Sequence, residues 1–243
     1  MNNFHHTILI NLHRIIFYVI KSRIWLRHMD RHSEEERYAL ANEMVTKMNR
    51  SAGFKTIAQG QELLPKEGGY MLYPNHQGKY DVLGIFNTHK KPCSFVMDEK
   101  RSHMILLSEF LRIVEGKTIV LSDIRQTIGV FRQVAREVAE KGRKFILFPE
   151  GGYKENNQNR VEHFKAGSFK VALMAKCPIV PVALVDSYKV YNSPHRGPVT
   201  TYVYYLRPIY YDEYKNLRSG EIAQLVENRI KDRIKEHMRE KVN

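Results

Sequence analysis

Short apolar runs alternate with helical patterns along most of the chain. Seven of these runs are rich in β-branched and aromatic residues and are predicted to be strands. They cover residues 54–58, 70–73, 94–97, 118–121, 145–148, 179–185 and 199–206. Because strands that alternate with helices are typical of layered α/β proteins, we predict an α/β fold with a mixed central sheet of about seven strands flanked by helices.

The helical patterns lie between these strands. The clearest covers residues 124–141, where apolar residues recur on one face and Gly142 follows as a stop signal. The others cover residues 34–50, 82–88, 104–111 and 165–175, and a charged C-terminal segment with apolar residues from Ile222 to Met238. No repeat or low-complexity linker divides the chain. We therefore predict one α/β domain over residues 51–243, preceded by an N-terminal helical membrane-association segment over residues 1–50.

The first 29 residues combine a wide apolar face with positive charge. In a helix, a narrow polar stripe would be formed by Asn11, Arg14, Tyr18 and Lys21, and apolar residues would cover the rest of the surface. The segment holds four lysines and arginines and no acidic residue. These features are typical of an amphipathic helix that lies in a membrane interface and is attracted to anionic lipid. The alternative is a helix that covers the protein core or a dimer interface.

No membrane span or secretory signal is expected in this segment. Its uninterrupted apolar run at residues 15–20 is far shorter than the roughly 20 residues that a spanning helix needs. The longer apolar candidate at residues 8–20, which His13 and Arg14 interrupt, has no lysine or arginine before it and no small-residue cleavage site after it. Cys93 and Cys177 form no C-x-x-C pair, which favours a reducing compartment. We expect a peripheral protein on the cytoplasmic face of the cell membrane.

Composition and charge narrow the classes of function. Hydrophobic residues at 43% and charged residues at 27% exclude a disordered tail or a fibre. The net charge of +13 favours anionic partners such as phospholipid, phosphorylated metabolites or an acidic carrier protein. Nucleic acid is not expected, because the charge is spread along the chain and no known recognition motif is present. The chain has 11 histidines, but no metal site is predicted, because those near the N-terminus follow no ligand spacing, namely His5, His6, His13, His28 and His32.

The first segment with distinctive chemistry follows the strand at 70–73 and reads P-N-H-Q-G-K-Y-D. His76 lies where this strand gives way to Gly78 and a helix, and α/β folds place their chemistry at such strand ends. We expect Asp81 to accept the Nδ1 proton of His76, which leaves Nε2 free as a base. The alternative is a histidine that only satisfies its own turn.

The second segment follows the strand at 145–148 and reads F-P-E-G-G-Y. Gly151 and Gly152 allow backbone N–H groups to approach a ligand closely, and the carboxylate of Glu150 can orient a polyol or a basic side chain. The alternative is a tight turn. Further along, F-K-A-G-S opens a helix at residues 164–168, and I-V-P-V-A forms a strand at residues 179–183.

Taken in this order, the segments resemble the glycerolipid acyltransferase family, specifically the bacterial 1-acyl-sn-glycerol-3-phosphate acyltransferases. Asn75, His76 and Asp81 match the N-H-x-x-x-x-D block of that family. Residues 148–151, 164–167 and 180–183 match its F-P-E-G, F-K-x-G and V-P-V blocks. The resemblance covers roughly residues 54–210, and its four motifs occur in the family's order.

The resemblance implies transfer of a fatty acyl group from acyl-CoA or acyl carrier protein to the free hydroxyl of lysophosphatidic acid, which gives phosphatidic acid. It implies that His76 is the general base and that Asp81 orients it. Asn75, Glu150, Gly151 and Gly152 are expected to bind substrate, with Glu150 positioning the acceptor. The chemistry needs no metal and no cofactor beyond the acyl thioester, which is a co-substrate.

The chain departs from the family at two arginines that are commonly linked to phosphate binding. The family's G-x-I-F-V-D-R block corresponds to residues 116–123, where Leu121 or Ser122 stands in place of the arginine. Tyr153 stands in place of the arginine of the family's E-G-T-R block. The acceptor therefore stays open between lysophosphatidic acid and a different one, such as a neutral lipid. A non-catalytic lipid-binding protein is the remaining alternative.

Basic residues close to the motif blocks are the candidate substitutes for these arginines, namely Arg125, Lys79, Lys154 and Lys165. Arg125 ranks first, because it lies in the first turn of a predicted helix, whose N-terminus adds a favourable field for an anion. Lys79, inside the histidine block, ranks second. A solvated surface charge is the alternative for both Arg125 and Lys79.

Overall fold

A computed structural model describes residues 3–241 of the chain. Residues 1–2 of the predicted N-terminal segment and residues 242–243 of the predicted α/β domain lie outside the described residues. The strands are β1 Phe54–Gln59, β2 Tyr70–Pro74, β3 Ser94–Asp98, β4 Lys117–Ile119, β5 Lys144–Ile146, β6 Ile179–Val185 and β7 Val199–Tyr205. They form one sheet in the order β1-β7-β6-β2-β5-β3-β4. Every neighbouring pair is parallel except β6 and β7, so the predicted mixed seven-stranded sheet is confirmed.

Helices precede the sheet and connect its strands. They are α1 Asn3–Ile10, α2 Leu12–Arg27, α3 Glu34–Ala52, α4 Asp81–Thr88, α5 Glu99–Ser102, α6 Leu107–Ile113, α7 Ile124–Lys141, α8 Lys170–Ala175, α9 Tyr188–Tyr191, α10 Tyr211–Tyr214 and α11 Ser219–Glu240. The helix predicted over residues 104–111 was placed too early, because Leu106 adopts a positive φ of 72° that prevents a helix from passing through it.

The centre of the sheet is covered on both faces. In β2, Met71 and Tyr73 pack into a core with α7, α8 and α11, while Tyr70 and Leu72 pack into a second core with α3, α4 and α6. Successive side chains of a strand point to opposite faces, so a strand covered on both sides is apolar throughout. This is why β2 and β6 were recognisable as continuous apolar runs.

The parallel strands bring distant parts of the chain to one edge. Since β6, β2, β5, β3 and β4 run in the same direction as neighbours, their carboxyl ends meet at the same edge of the sheet. The connections that leave this edge include the two segments singled out by their chemistry, which contain His76 and Glu150. We call this edge the carboxyl edge.

The N-terminal helices present their polar residues to the protein and their apolar residues outwards. Asn11 and Tyr18, two members of the predicted polar stripe, are buried, with 0% and 1% of their surface exposed. Six apolar side chains of α1 and α2 are each 51–62% exposed, namely Leu9, Leu12, Ile16, Phe17, Ile20 and Ile24. The segment is therefore helical as predicted, but it consists of two helices that meet at Asn11. Val19 is buried and Trp25 packs against the core, whereas the six listed apolar side chains are largely exposed.

None of the helices within residues 3–241 is both long enough and apolar enough to cross a membrane.

Candidate active site

The turn after β2 is tied to the neighbouring strand β6 by Asn75. The Asn75 side-chain amide donates to the carbonyl of Leu184 at 3.1 Å, and its oxygen accepts the Leu184 N–H at 2.7 Å. Asn75 is completely buried. This two-way contact fixes the end of β2, and with it the position from which His76 leaves the sheet.

His76 and Asp81 form a hydrogen-bonded pair, with 2.7 Å between Nδ1 and Oδ2. The Asp81 carboxylate is fully buried, whereas the His76 side chain is 16% exposed. A carboxylate that accepts from Nδ1 holds the imidazole in the tautomer with an unprotonated Nε2. His76 Nε2 makes no hydrogen bond to any of residues 3–241. The geometry therefore leaves Nε2 available to take a proton from a bound molecule.

The Asp81 carboxylate also organises the turn around it. Oδ2 accepts the backbone N–H groups of Gln77 at 2.5 Å and Gly78 at 2.9 Å, and Oδ1 accepts from the Ser187 hydroxyl at 2.6 Å. A buried carboxylate requires such donors, because an unpaired buried charge costs several kcal/mol.

Ser187, which the sequence analysis did not identify, reaches this site from the end of β6. Its single hydroxyl proton faces two acceptors, Asp81 Oδ1 and, at 3.0 Å, the side-chain oxygen of Gln77. The Gln77 amide nitrogen donates to Leu184 O at 2.7 Å and to Asn159 Oδ1 at 2.9 Å, which orients the Gln77 oxygen towards Ser187. Because the bond to the carboxylate is shorter and charge-assisted, Ser187 acts as a donor to Asp81.

Two aromatic side chains from the β5 connection hold the His76 ring. Phe148 stacks on it with ring centroids 4.0 Å apart, and Tyr153 meets it edge-on at 4.6 Å. The Tyr153 hydroxyl accepts from Arg101 at 2.5 Å, and the Arg101 guanidinium also lies over the Tyr153 ring. Burial raises the pKa of Tyr153 above its ordinary range. Arg101, which was not identified from the sequence, thus places a positive charge near His76.

Glu150 is buried directly beside the histidine turn. Its Oε1 accepts the His76 backbone N–H at 3.0 Å, while Oε2 has no hydrogen-bond partner within the described part of the chain. Burial, reinforced by the nearby charge of Asp81, raises the pKa of Glu150 to about 8. Glu150 is therefore mostly protonated at neutral pH and has an O–H group to donate.

The two glycines after Glu150 leave room for a ligand and for a lysine. Gly151 has a φ of +73°, and a Cβ there would lie 2.4 Å from Lys165 Nζ. At Gly152, nothing stands within 4 Å of where a side chain would begin. Lys165 therefore brings its ammonium group over the backbone at Gly151, beside open space.

The other basic residues predicted from sequence point elsewhere. Lys79 Nζ lies 5.0 Å from the centroid of the Phe4 ring in α1, and Lys154 pairs with Glu162 at 2.9 Å. Arg125 is exposed in the first turn of α7, and no described contact joins it to His76 or its neighbours. Of the predicted substitutes, Lys165 is the one that the structure brings to the glycine segment.

The chain is similar to known acyltransferases. A family model described as "Acyltransferase" matches residues 55–185, more than half of the chain. A 1-acyl-sn-glycerol-3-phosphate acyltransferase of Saccharomyces cerevisiae is 25% identical over 78% of this chain and 63% of its own length. One of Borreliella burgdorferi is 32% identical over 56% of this chain and 53% of its own length. The matched regions thus span about half to two thirds of these relatives.

A solved structure shows the same fold. The 1-acyl-sn-glycerophosphate acyltransferase PlsC of Thermotoga maritima superimposes with a TM-score of 0.71, at 17% identity, and covers 96% of this chain and 98% of that one.

We expect the Glu150 carboxyl to titrate near pH 8. Its folded-state pKa lies above the unfolded value, so the stabilisation by the neutral form is present below about pH 4.5 and is lost as pH rises through 8. Relative to Glu150→Gln, the wild type should lose roughly 2 kcal/mol or more of unfolding free energy between pH 5 and 8. Urea denaturation across this range measures it. Glu67→Gln, at an exposed glutamate, is the control. Parallel pH curves for wild type and Glu150→Gln would refute the assignment.

Replacing Ser187 should perturb the histidine pair without unfolding the protein. Ser187→Ala removes a donor to a buried carboxylate and should cost about 1–3 kcal/mol of unfolding free energy. The downfield proton NMR signal of the His76 Nδ1–H should shift or broaden, because its acceptor is less firmly held. Ser193→Ala removes a hydroxyl that bonds only locally and is the control. An unchanged imidazole spectrum in folded Ser187→Ala would show that Ser187 does not act through Asp81.

Proposed function

Because the chain belongs to the acyltransferase family, we propose that it transfers a fatty acyl group from an acyl thioester to the free hydroxyl of 1-acyl-sn-glycerol-3-phosphate and thereby forms phosphatidic acid. The observation that carries this proposal is the His76–Asp81 pair at the carboxyl edge, with Nε2 unbonded and the carboxylate buried. Similarity to 1-acyl-sn-glycerol-3-phosphate acyltransferases supports the choice of substrate.

His76 is the proposed general base. Its Nε2 takes the proton of the acceptor hydroxyl as that oxygen attacks the thioester carbonyl, and Asp81 stabilises the resulting imidazolium. The carbon–sulfur bond then breaks, and the thiolate leaves and recovers the proton from His76. A free thiol has a pKa of about 8.5, so the thiolate is a good leaving group. General-base assistance of this kind is worth about 10²- to 10⁴-fold in rate.

Glu150 is the proposed acceptor-positioning residue. A carboxyl that stays protonated near neutral pH is a poor second base, but it can donate a hydrogen bond to an acceptor oxygen. The Oε2 atom, which lacks a partner within residues 3–241, is the group free to do so. Asn75 and Gly152 complete the proposed binding segment, the first by fixing the turn and the second by leaving open space.

Arg101 and Lys165 are the cations best placed to hold the acceptor phosphate. Arg101 reaches His76 through Tyr153, the residue that stands where the family has an arginine. Its remaining N–H groups make no hydrogen bond among the described residues. An arginine can bind a phosphate with two parallel hydrogen bonds, which a lysine cannot. Arg125 and Lys79 stay candidates from sequence alone.

No metal or resident cofactor is part of this proposal, because the thioester is already activated for acyl transfer. The acyl donor is acyl-CoA or acyl carrier protein. Both are anionic partners, and the net charge of +13 suits either.

The N-terminal helices are the proposed contact with an anionic membrane, on its cytoplasmic face. Six exposed apolar side chains on α1 and α2 face away from the domain, and α2 carries Arg14, Lys21, Arg23 and Arg27. Apolar burial and attraction to lipid phosphates together favour a helix lying in the interface. A dimer interface is the alternative for the same face.

Loss of either member of the histidine pair should remove activity. His76→Ala and Asp81→Asn should each lower kcat by at least about 10²-fold, because the base and the carboxylate that orients it act as one unit. Release of free thiol from an acyl thioester, with lysophosphatidic acid present, measures the rate. His195→Ala, at an exposed histidine elsewhere, is the control. Near-normal turnover by folded His76→Ala would refute the mechanism. Wild type that binds lipid without releasing thiol would favour the non-catalytic alternative.

Removal of Arg101 should weaken acceptor binding selectively. Arg101→Ala should raise KM for lysophosphatidic acid about 10-fold or more and change KM for the thioester little, since a charged hydrogen bond is worth about 1.5–3 kcal/mol. Arg101→Lys should recover part of the loss. Lys165→Ala and Arg125→Ala are measured beside it, with Arg218→Ala as an exposed-arginine control. An effect of Arg125→Ala alone would place the phosphate at α7. A wild type that prefers a monoacylglycerol would instead indicate a neutral acceptor.

A further inference from the structure

A second exposed apolar surface lies outside the N-terminal helices. It consists of five large side chains that are each 44–73% exposed, namely Met104, Ile105, Leu121, Ile124 and Ile128. We call it the apolar rim. Single exposed apolar residues are ordinary on protein surfaces, but a group of them next to one another marks an interaction site.

The members of the apolar rim come from two adjacent connections. Strands β3 and β4 pair in parallel up to Asp98 and Ile119, so the segments that follow them leave the sheet side by side. His103, in the first segment, and Leu121, in the second, line the same surface depression. Met104 and Ile105 follow His103, and Ile124 follows Leu121 by three residues. The two connections therefore form one surface.

The apolar rim lies beside the candidate active site. Both of its connections leave the carboxyl edge, as the His76 and Glu150 segments do. Arg101, three residues before Met104, donates to the Tyr153 hydroxyl, and Tyr153 contacts the His76 ring. A molecule or surface that covers the rim is thus next to the catalytic histidine.

Unpaired arginines continue the rim along α7. Arg125, Arg132 and Arg136 are seven and four residues apart, which places them on one side of the helix. All three are exposed, and none makes an ion pair or hydrogen bond among residues 3–241.

The acidic residues near the rim leave this face basic. Asp98 and Asp123 accept backbone N–H groups of Lys100 and Gln126, respectively. Glu137 turns inwards to Arg143, Glu99 lines the same depression as His103 and Leu121, and Glu140 lies in the last turn of α7. Positive charge beside an exposed apolar surface matches the chemistry of an anionic bilayer, whose phosphates attract arginine and whose interior accepts apolar side chains.

The rim also continues from the N-terminal helices. Helix α2 packs against α6, which begins at Leu107, directly after the Met104–Ile105 pair. Arg23 of α2 bonds Glu109 in the first turn of α6 at 2.8 Å. The Met104–Ile105 part of the apolar rim is therefore next to a helix that contacts α2, whereas Ile124 and Ile128 belong to α7, which covers the other face of the sheet.

We propose that the apolar rim is a second lipid-contacting surface, which inserts into an anionic bilayer together with the N-terminal helices and turns the carboxyl edge towards the lipid. The inference rests on the proposed function in one respect, because it takes the acyl acceptor to be a lipid. Binding of the rim to a bilayer requires no turnover and is measured separately.

The test compares binding of matched variants to vesicles. The full chain is sedimented with vesicles of phosphatidylcholine alone or mixed with phosphatidylglycerol. Ile105→Ser/Ile124→Ser should weaken binding to the anionic vesicles about 10-fold. Arg132→Gln/Arg136→Gln should weaken binding only where phosphatidylglycerol is present. Ile16→Ser/Ile20→Ser on α2 should weaken binding independently, so that all four serine substitutions together multiply the two losses. Leu63→Ser/Met174→Ser removes two other exposed apolar side chains, each 45% exposed where Ile105 and Ile124 are each 73% exposed, and should have no effect.

The proposal would be overturned if Ile105→Ser/Ile124→Ser kept the thermal midpoint of the wild type and bound vesicles as the wild type does. An equal loss of vesicle binding in the Leu63→Ser/Met174→Ser control would also overturn it. A wild-type dimer that this rim variant dissociates, with vesicle binding intact, would overturn it in favour of contact between copies of the chain.

Activity separates this inference from the proposed function. The rim variant should keep its rate on a short-chain, water-soluble lysophosphatidic acid and lose rate on the same headgroup embedded in vesicles. Equal losses on both acceptors would contradict an orienting role. A wild type inactive on both acceptors, but bound to vesicles through the rim, would refute the proposed function and leave the inference standing.

Discussion

The arrangement of the site depends on one buried carboxylate. Asp81 has no exposed surface and accepts from four donors: the His76 ring, two backbone N–H groups of the turn, and the Ser187 hydroxyl. Ionised groups are tolerated inside a protein only when such donors surround them. The need for these donors determines the conformation of the turn after β2 and the orientation of the imidazole. It also explains why Ser187, which follows β6, contacts Asp81. The Asn75 bridge to Leu184 holds β2 and β6 in the register that this requires.

Glu150 is also buried beside His76, but it has fewer hydrogen-bond donors around it than Asp81 has. It accepts one backbone N–H through Oε1, and Oε2 has no partner within residues 3–241. Burial without compensating donors favours the neutral acid, hence the raised pKa of about 8. The two carboxyl groups beside His76 can therefore take different roles. Asp81 accepts from the imidazole, and Glu150 can donate to a ligand. The number of donors around each group makes the difference.

Local patterns were predictable from sequence, and contacts set by strand order were not. The seven strands were located to within two residues of their ends. For β2 and β6 this was possible because strands covered on both faces are continuously apolar. His76 and Asp81 are five positions apart, so a single turn sufficed to relate them. Ser187 lies 106 positions from Asp81 and meets it only because β6 pairs with β2. Arg101 likewise required the placement of β3 beside β5.

The N-terminal helices show a different limit of sequence reasoning. Helical periodicity identified the polar stripe that includes Asn11 and Tyr18, but periodicity is the same whichever face meets the protein. In water, a helix at a protein surface gains by turning its apolar face inwards. Here the buried side chains include Asn11, whose amide donates to Thr7 O and whose oxygen accepts from Arg14 and Ser51. The polar side chain of Asn11 is therefore satisfied within the protein and has no need of water. The exposed apolar side chains of α1 and α2 are left uncovered by the rest of the described chain. The proposed contact with lipid is an environment in which this orientation would lower the free energy.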